Sequence, residues 1–307
     1  MGYAELKARL RGAVTTPITP FRADGEVDEE GVRKLTRFLI DSGIREGAGA
    51  IIPTSTTAEF YAMSLEDRKR VIRLTLEEAG GEVPVFAGCN HTNSREALEL
   101  CRFAEEAGAL GIMISPPYYF KPLEENIIEY YRTIASETRL AIIVYNNEFA
   151  LQTDIPVEVM EELSRIENVI GMKETTRIFL KFDRMVRRVG GKIAVLNGYG
   201  ELYEPYASLM GTPGFITVMA NFAPGLSVEL YSAAKEGDLE RARALHLKLC
   251  PLLDFMFRLE GGQYVSVIKE AMNLMGLPAG PVRPPLLPLT KEARRELKGH
   301  LKALELL

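Results

Sequence analysis

The sequence predicts an α/β protein: a (β/α)8 TIM barrel with a C-terminal helical extension. Strand-like and helix-like patterns alternate from Gly12 onward, eight strands in all, with no long linker between them. From Leu226 to the end the pattern turns purely helical, interrupted by Gly261-Gly262 and the proline-rich stretch 278–288. At 307 residues the chain accommodates a barrel of about 250 residues plus an appendage. An open doubly wound sheet is the competitor. Nothing like Gly-x-Gly-x-x-Gly follows the first strand, which weighs against its dinucleotide-binding form. We therefore expect residues 1–225 to form the barrel and residues 226–307 to pack on it.

The elements follow in order. Gly12 to Thr16 is short and β-branched, and Asp28 caps a helical pattern carrying Val32, Leu35, Phe38 and Leu39. Ala48 to Pro53 reads as the second strand. Ser64, with Asp67 three residues later, resembles a capping box ahead of Val71, Ile72, Leu74 and Leu76. Val83 to Ala87 is the third strand, and the helix after it carries Ala97, Leu98, Leu100, Cys101 and Phe103. Leu110 to Ile114 is the fourth, followed by a helix over Leu123 to Ser136. Leu140 to Tyr145 is the fifth, with a helix from about Pro156 to Ser164. The sixth strand ends in Lys173, Ile193 to Leu196 is the seventh, and Phe215 to Val218 the eighth.

Composition removes several classes of function. The net charge of −5 leaves no electrostatic footprint for nucleic acid. Three widely spaced cysteines, Cys89, Cys101 and Cys250, offer neither a disulfide framework nor zinc spacing, which points to a reducing cytoplasm. Three histidines far apart in sequence make metal or histidine-based catalysis a poor expectation, so no metal site is assigned. The N-terminus has no apolar signal core, and no uninterrupted apolar run reaches membrane-spanning length. The expectation is a soluble protein.

Chemistry gathers at the proposed strand ends, where parallel α/β folds place their active sites. Lys173 closes the apolar run Asn168 to Met172. An amine among apolar neighbours loses solvation of its charged form and becomes a usable nucleophile. Bringing a lysine from about 10.4 to about 7 needs roughly 4 to 5 kcal/mol of preference for the neutral amine. The alternative is a solvated lysine just past a strand. After the second strand, Thr54 to Glu59 clusters hydroxyls and backbone amides into a carboxylate-binding nest, or into ordinary helix caps. Ser115 to Phe120, after the fourth, is an aromatic loop that could pack against another subunit. Tyr145-Asn146 closes the fifth, and a tyrosine there can relay protons or sit satisfied in the core.

Taken together, Thr-Thr-x-Glu, Pro-Tyr-Tyr, Tyr-Asn and Gly-x-Lys-Glu on four strands resemble the dihydrodipicolinate synthase/N-acetylneuraminate lyase family of class I, Schiff-base enzymes. The resemblance extends from about Gly12 into the helical C-terminus and includes Thr15-Thr16-Pro17, Ala87-Gly88, Asn197-Gly198 and the run Gly214 to Asn221. It implies an eight-stranded barrel, a homotetramer of tight dimers, a small 2-oxo acid substrate and no external cofactor. It implies Lys173 as the Schiff-base lysine and Tyr145 as the proton relay. Thr56 and Thr57, with the adjacent Ser55, would contact the keto-acid carboxylate, with the two threonines linking tyrosines by hydrogen bonds. Tyr119 would enter a neighbouring subunit's site. The backbone of Ile216 would flank the lysine, and Gly198 would line the pocket floor.

The chain departs from the family pattern in two places. Synthases of the lysine pathway carry Tyr-Asn-x-Pro-x-Arg, whose arginine holds the carboxylate of aspartate semialdehyde; here Glu148 and Ala150 stand in place of the proline and arginine. Losing a bidentate contact should cost a charged substrate several kcal/mol. Ala58 also replaces a glycine, which should narrow the approach to the nest. These changes favour a Schiff-base aldolase or dehydratase acting on pyruvate or a 2-oxo acid such as a 2-keto-3-deoxy sugar acid. The second reading is 4-hydroxy-tetrahydrodipicolinate synthase, condensing pyruvate with aspartate semialdehyde by means of some other cation. A third, a non-catalytic binding protein, has no need for Lys173, Tyr145 and Thr56 together.

Overall fold

The structure is a computed structural model that describes residues 1–259 and 261–307. Seven parallel strands form its sheet: β1 (Gly12–Thr15), β2 (Phe86–Gly88), β3 (Gly111–Ile114), β4 (Ala141–Asn146), β5 (Val169–Glu174), β6 (Ala194–Asn197) and β7 (Gly214–Thr217). Their order is β1-β7-β6-β5-β4-β3-β2, and helices cover the outside of the curl in a TIM-barrel-like arrangement.

The strand expected over Ala48 to Pro53 is cut down to single bridges from Ile51 to Thr15 and to Val85. Backbone bonds still run on both sides of it: Thr15 N donates to Ala50 O at 2.7 Å and Phe86 N to Ile51 O at 3.0 Å. Hydrogen-bonded backbone thus continues from β1 through Ile51 to β2. The run stops because Pro53 has no N–H to donate and Thr54 turns left-handed at φ 55°.

Alternation along the strands sorts side chains between two apolar layers. Val14, Ala141, Ile143, Tyr145, Leu196 and Ile216 point inward, whereas Ile142, Val144, Met172 and Val195 pack outward beneath the helices. β5 carries one extra residue: Ile142 pairs with Val169, but Ile143 pairs with Gly171. This bulge re-phases the strand, so that Tyr145 on β4 stands opposite Lys173 on β5.

The N-terminal helix Tyr3–Arg9, which the sequence pattern did not reveal, feeds Leu6 and Leu10 into the inward layer at the foot of the curl. Gly171 makes room for it, since a Cβ there would come within 2.5 Å of Leu10 Cδ2. Both expected caps form: Asp28 Oδ1 accepts from Gly31 N at 3.0 Å, and Ser64 Oγ accepts from Asp67 N at 3.1 Å.

After β7 come the helices Pro224–Glu236, Leu239–Arg258, Tyr264–Leu274 and Lys291–Ala303. Their apolar faces share one core with Ala13, Leu35 and Phe215. The helix Tyr264–Leu274 and the segment that follows it also hold the loop after Ile51 from above. Lys269 Nζ lies 2.6 Å from Glu59 Oε1, both side chains buried, and Arg283 N donates to Glu59 Oε2 at 2.7 Å. Among the described residues, no helix is long and apolar enough to cross a membrane.

Candidate active site

The C-terminal ends of the strands open into a cavity of about 740 Å³. Lys173, Tyr145, Thr56, Thr57, Gly198 and Ile216, drawn from five separate segments, all line it. Lys173 is buried, with its Nζ 4.4 Å from the centroid of the Tyr145 ring. It forms no ion pair with any described residue.

The Tyr145 hydroxyl accepts hydrogen bonds from Thr56 Oγ1 at 3.4 Å and from Asn147 Nδ2 at 2.8 Å. Those donors leave its own proton free to point into the cavity. Thr57 Oγ1 shares a hydrogen bond with Thr16 Oγ1 at 3.2 Å, tying the threonine turn to β1. The turn is the 3-10 helix Thr56–Ala58. The N–H groups of Thr56 and Thr57 at its start have no acceptor among the described residues, as a carboxylate nest requires.

Ala58 does not narrow this site, contrary to the expectation from its replacing a glycine. Left-handed backbone falls on Thr54 and Glu59, at φ 55° and 60°, so position 58 tolerates a Cβ. Ala58 is buried behind the turn, where its carbonyl accepts from Thr19 Oγ1 at 2.9 Å.

Gly198 needs its missing side chain. Its N donates to Glu174 O at 2.8 Å, and a Cβ would lie 2.2 Å from Thr175 Oγ1. Two of the residues assigned from sequence lie outside the cavity wall. Ser55 is fully buried with its Oγ unpartnered among the described residues. Tyr119 is 81% exposed on the loop after β3, stacked edge-on against Phe120, and its neighbour Tyr118 is the one that lines the cavity.

Several lining residues carried no signal in the sequence. Tyr264 opens the helix Tyr264–Leu274 beside Thr57; burial pushes its phenol up, Tyr145 adds to that, and the Thr57 hydroxyl opposes it. Asn147 and Arg177 do follow recognised motifs directly, but their roles depend on loop geometry. At the floor of the cavity, Glu201 accepts from Ser227 Oγ at 2.5 Å and Thr217 Oγ1 at 2.6 Å, and burial raises its pKa. Behind Lys173, on the outward face of β5, burial raises Glu174 to about 7 against the opposing pull of Lys181 and Asn146.

A buried lysine facing a tyrosine across adjacent parallel strands, beside a hydroxyl-lined turn, is a setting for imine chemistry. The model of the dihydrodipicolinate synthetase family matches residues 9–304. The chain belongs to that family. It is a lyase of the class I aldolase type, working through a lysine imine. It is 35% identical over 298 residues to the 4-hydroxy-tetrahydrodipicolinate synthase of Archaeoglobus fulgidus, covering 97% of this chain and 99% of that one. It is 37% identical over 296 residues to the enzyme of the same name from Nitratidesulfovibrio vulgaris strain DP4, covering 96% and 98%.

Among solved structures, the dihydrodipicolinate synthase of Thermotoga maritima superposes with a TM-score of 0.91 at 31% identity, covering 97% of this chain and 100% of that one. The chloride-inhibited enzyme of Acinetobacter baumannii, crystallised with pyruvate, gives 0.90 at 30% identity with the same coverage. These relatives back the second sequence reading, the synthase, better than the first, a sugar-acid aldolase or dehydratase.

Proposed function

We propose that this family member is a 4-hydroxy-tetrahydrodipicolinate synthase, condensing pyruvate with aspartate semialdehyde. The observation that carries the chemistry is the register pair Tyr145–Lys173, with Thr56 and Asn147 on the tyrosine hydroxyl. The free Lys173 amine attacks the ketone carbon of pyruvate, and loss of water gives the imine. Tyr145 passes the protons, giving one to the departing hydroxyl and receiving one as the methyl carbon becomes an enamine. That carbon then attacks the aldehyde of the second substrate. Thr56 and Thr57 hold the pyruvate carboxylate through their hydroxyls and free N–H groups, with Ser55 supporting the turn from behind. Gly198 and Ile216 shape the floor and flank of the lysine pocket. No external cofactor is needed, because the imine is itself the electron sink.

Full-length relatives of that name support the choice of substrate. Ala150, standing where lysine-pathway synthases carry an arginine, keeps a second reading: cleavage or dehydration of a 2-keto-3-deoxy sugar acid. We place the enzyme in the cytoplasm as a homotetramer in which Tyr119, exposed on the single chain, enters a neighbouring subunit's site. The chain would complete an eight-membered (β/α) ring over residues 1–225, with Ile51 as a minimal second strand. Residues 226–307 would then be the extension that brings Tyr264 and Lys269 to the site. A coupled assay supplying pyruvate and aspartate semialdehyde tests the substrate. Robust turnover supports the synthase; no turnover, with pyruvate released from a 2-keto-3-deoxy acid, supports the second reading.

A further inference from the structure

Ala150 lines the cavity without a charge, but the same wall carries a guanidinium from another loop. Arg177 lies four residues beyond Lys173, just past the end of β5. Its Cζ sits 4.0 Å from the centroid of the Phe149 ring, and its Nε donates to the Tyr199 hydroxyl at 2.7 Å. Stacking fixes the plane of the group and the Nε bond fixes its rotation within that plane. The two terminal amino groups have no hydrogen-bond or ion-pair partner among the described residues, so the forked edge is presented with its direction already set.

The other charged groups on the described wall do not compete for this part. Arg258 is committed to Glu296 at 2.8 Å, and Glu201 is bonded to Thr217 and Ser227 at the floor. Lys173 is the nucleophile. Glu148 adds negative potential near Tyr199 but forms no ion pair with Arg177. We infer that Arg177, clamped by Phe149 and Tyr199, is the carboxylate anchor for the second substrate, an aldehyde that bears a carboxylate. The anchor has moved from the loop after β4 to the loop after β5, and Phe149, next to the vacated position 150, became its stacking surface. This inference rests on the condensation proposed above.

The test measures kcat/KM for aspartate semialdehyde and for 3-aminopropanal, the same aldehyde without its carboxylate, with pyruvate saturating. Borohydride trapping of the pyruvate imine is read in parallel. Arg177→Ala should lower kcat/KM for aspartate semialdehyde about 30-fold, the loss of a charge-assisted hydrogen-bonded pair. It should leave the 3-aminopropanal rate and the trapping unchanged. Ala150→Arg in the Arg177→Ala background should recover part of the loss. An equal fall on both aldehydes, or no fall on either, overturns the inference while leaving the synthase standing. Wild type that traps pyruvate yet does not turn over aspartate semialdehyde overturns the synthase reading, and the anchor with it.

Discussion

Replacing Lys269 by methionine isolates the contact that ties the C-terminal helices to the threonine turn. Lys269 and Glu59 have side-chain exposures of 2% and 0% and meet at 2.6 Å. Burial lowers the lysine to about 8, with Glu59 pulling it back up and Arg283 pressing it down. Against an ordinary value of 10.5, that is about 3 kcal/mol of net burial cost. The folded state releases this proton more readily than the unfolded chain does. The cost is therefore full below pH 8 and disappears as pH rises toward 10.5.

The pair as a whole contributes little, whereas half of it is expensive. Lys269→Met should cost about 3 to 5 kcal/mol, because Glu59 is left buried with the Arg283 N–H as its remaining donor. Glu59→Gln with Lys269→Met should return to within about 1 kcal/mol of wild type, since the methionine packs where the lysine now lies over the Phe21 ring. Urea unfolding followed by circular dichroism at pH 7 measures all three proteins. KM for pyruvate should rise in the single variant, because Glu59 directly follows the turn that carries Thr56 and Thr57. A double variant as unstable as the single one, or a single variant as stable as wild type, would refute the reasoning.

Three further outcomes are expected. Tyr145→Phe should lower kcat by about 100-fold or more while still forming a borohydride-trappable imine, and Asn147→Ala should give a smaller loss in the same direction. Glu174, raised to about 7 by burial, binds its proton more tightly folded than unfolded; it supports stability below pH 4.5 and loses about 3 kcal/mol as pH rises through 7. Unfolding at pH 5 and pH 8 should show Glu174→Gln with a smaller drop than wild type. Gly198→Ala should cost roughly 1 to 3 kcal/mol in urea unfolding and reduce turnover, because its Cβ would press Thr175 and the end of β5.

Much of this architecture was legible because apolar runs bounded by polar residues mark buried parallel strands, and Ser64 and Asp28 mark helix starts. The second strand came through only in part: Ile51 and Ile52 have the composition of a strand, but Pro53, with no N–H to donate, and left-handed Thr54 cut its bridges down to Ile51. The helix Tyr3–Arg9 was missed because seven residues span barely two turns, too short for periodicity to show. Lys173 and Tyr145 were readable from their strand ends. Their facing one another depends on the bulge at Ile170, which composition does not encode. Tyr264 and Lys269 lay beyond reach, since only the fold returns the last helices to the mouth of the cavity. Arg177 stood in plain view after the lysine motif, but its role appears only once Phe149 and Tyr199 are seen to hold it.

The most direct test of the central claim is a mass measurement on the enzyme reduced with borohydride in the presence of pyruvate. One reduced pyruvyl group on the peptide containing Lys173, absent from Lys173→Ala, is the result expected. An unmodified Lys173, or undiminished turnover by Lys173→Ala, would contradict the imine on which the mechanism depends.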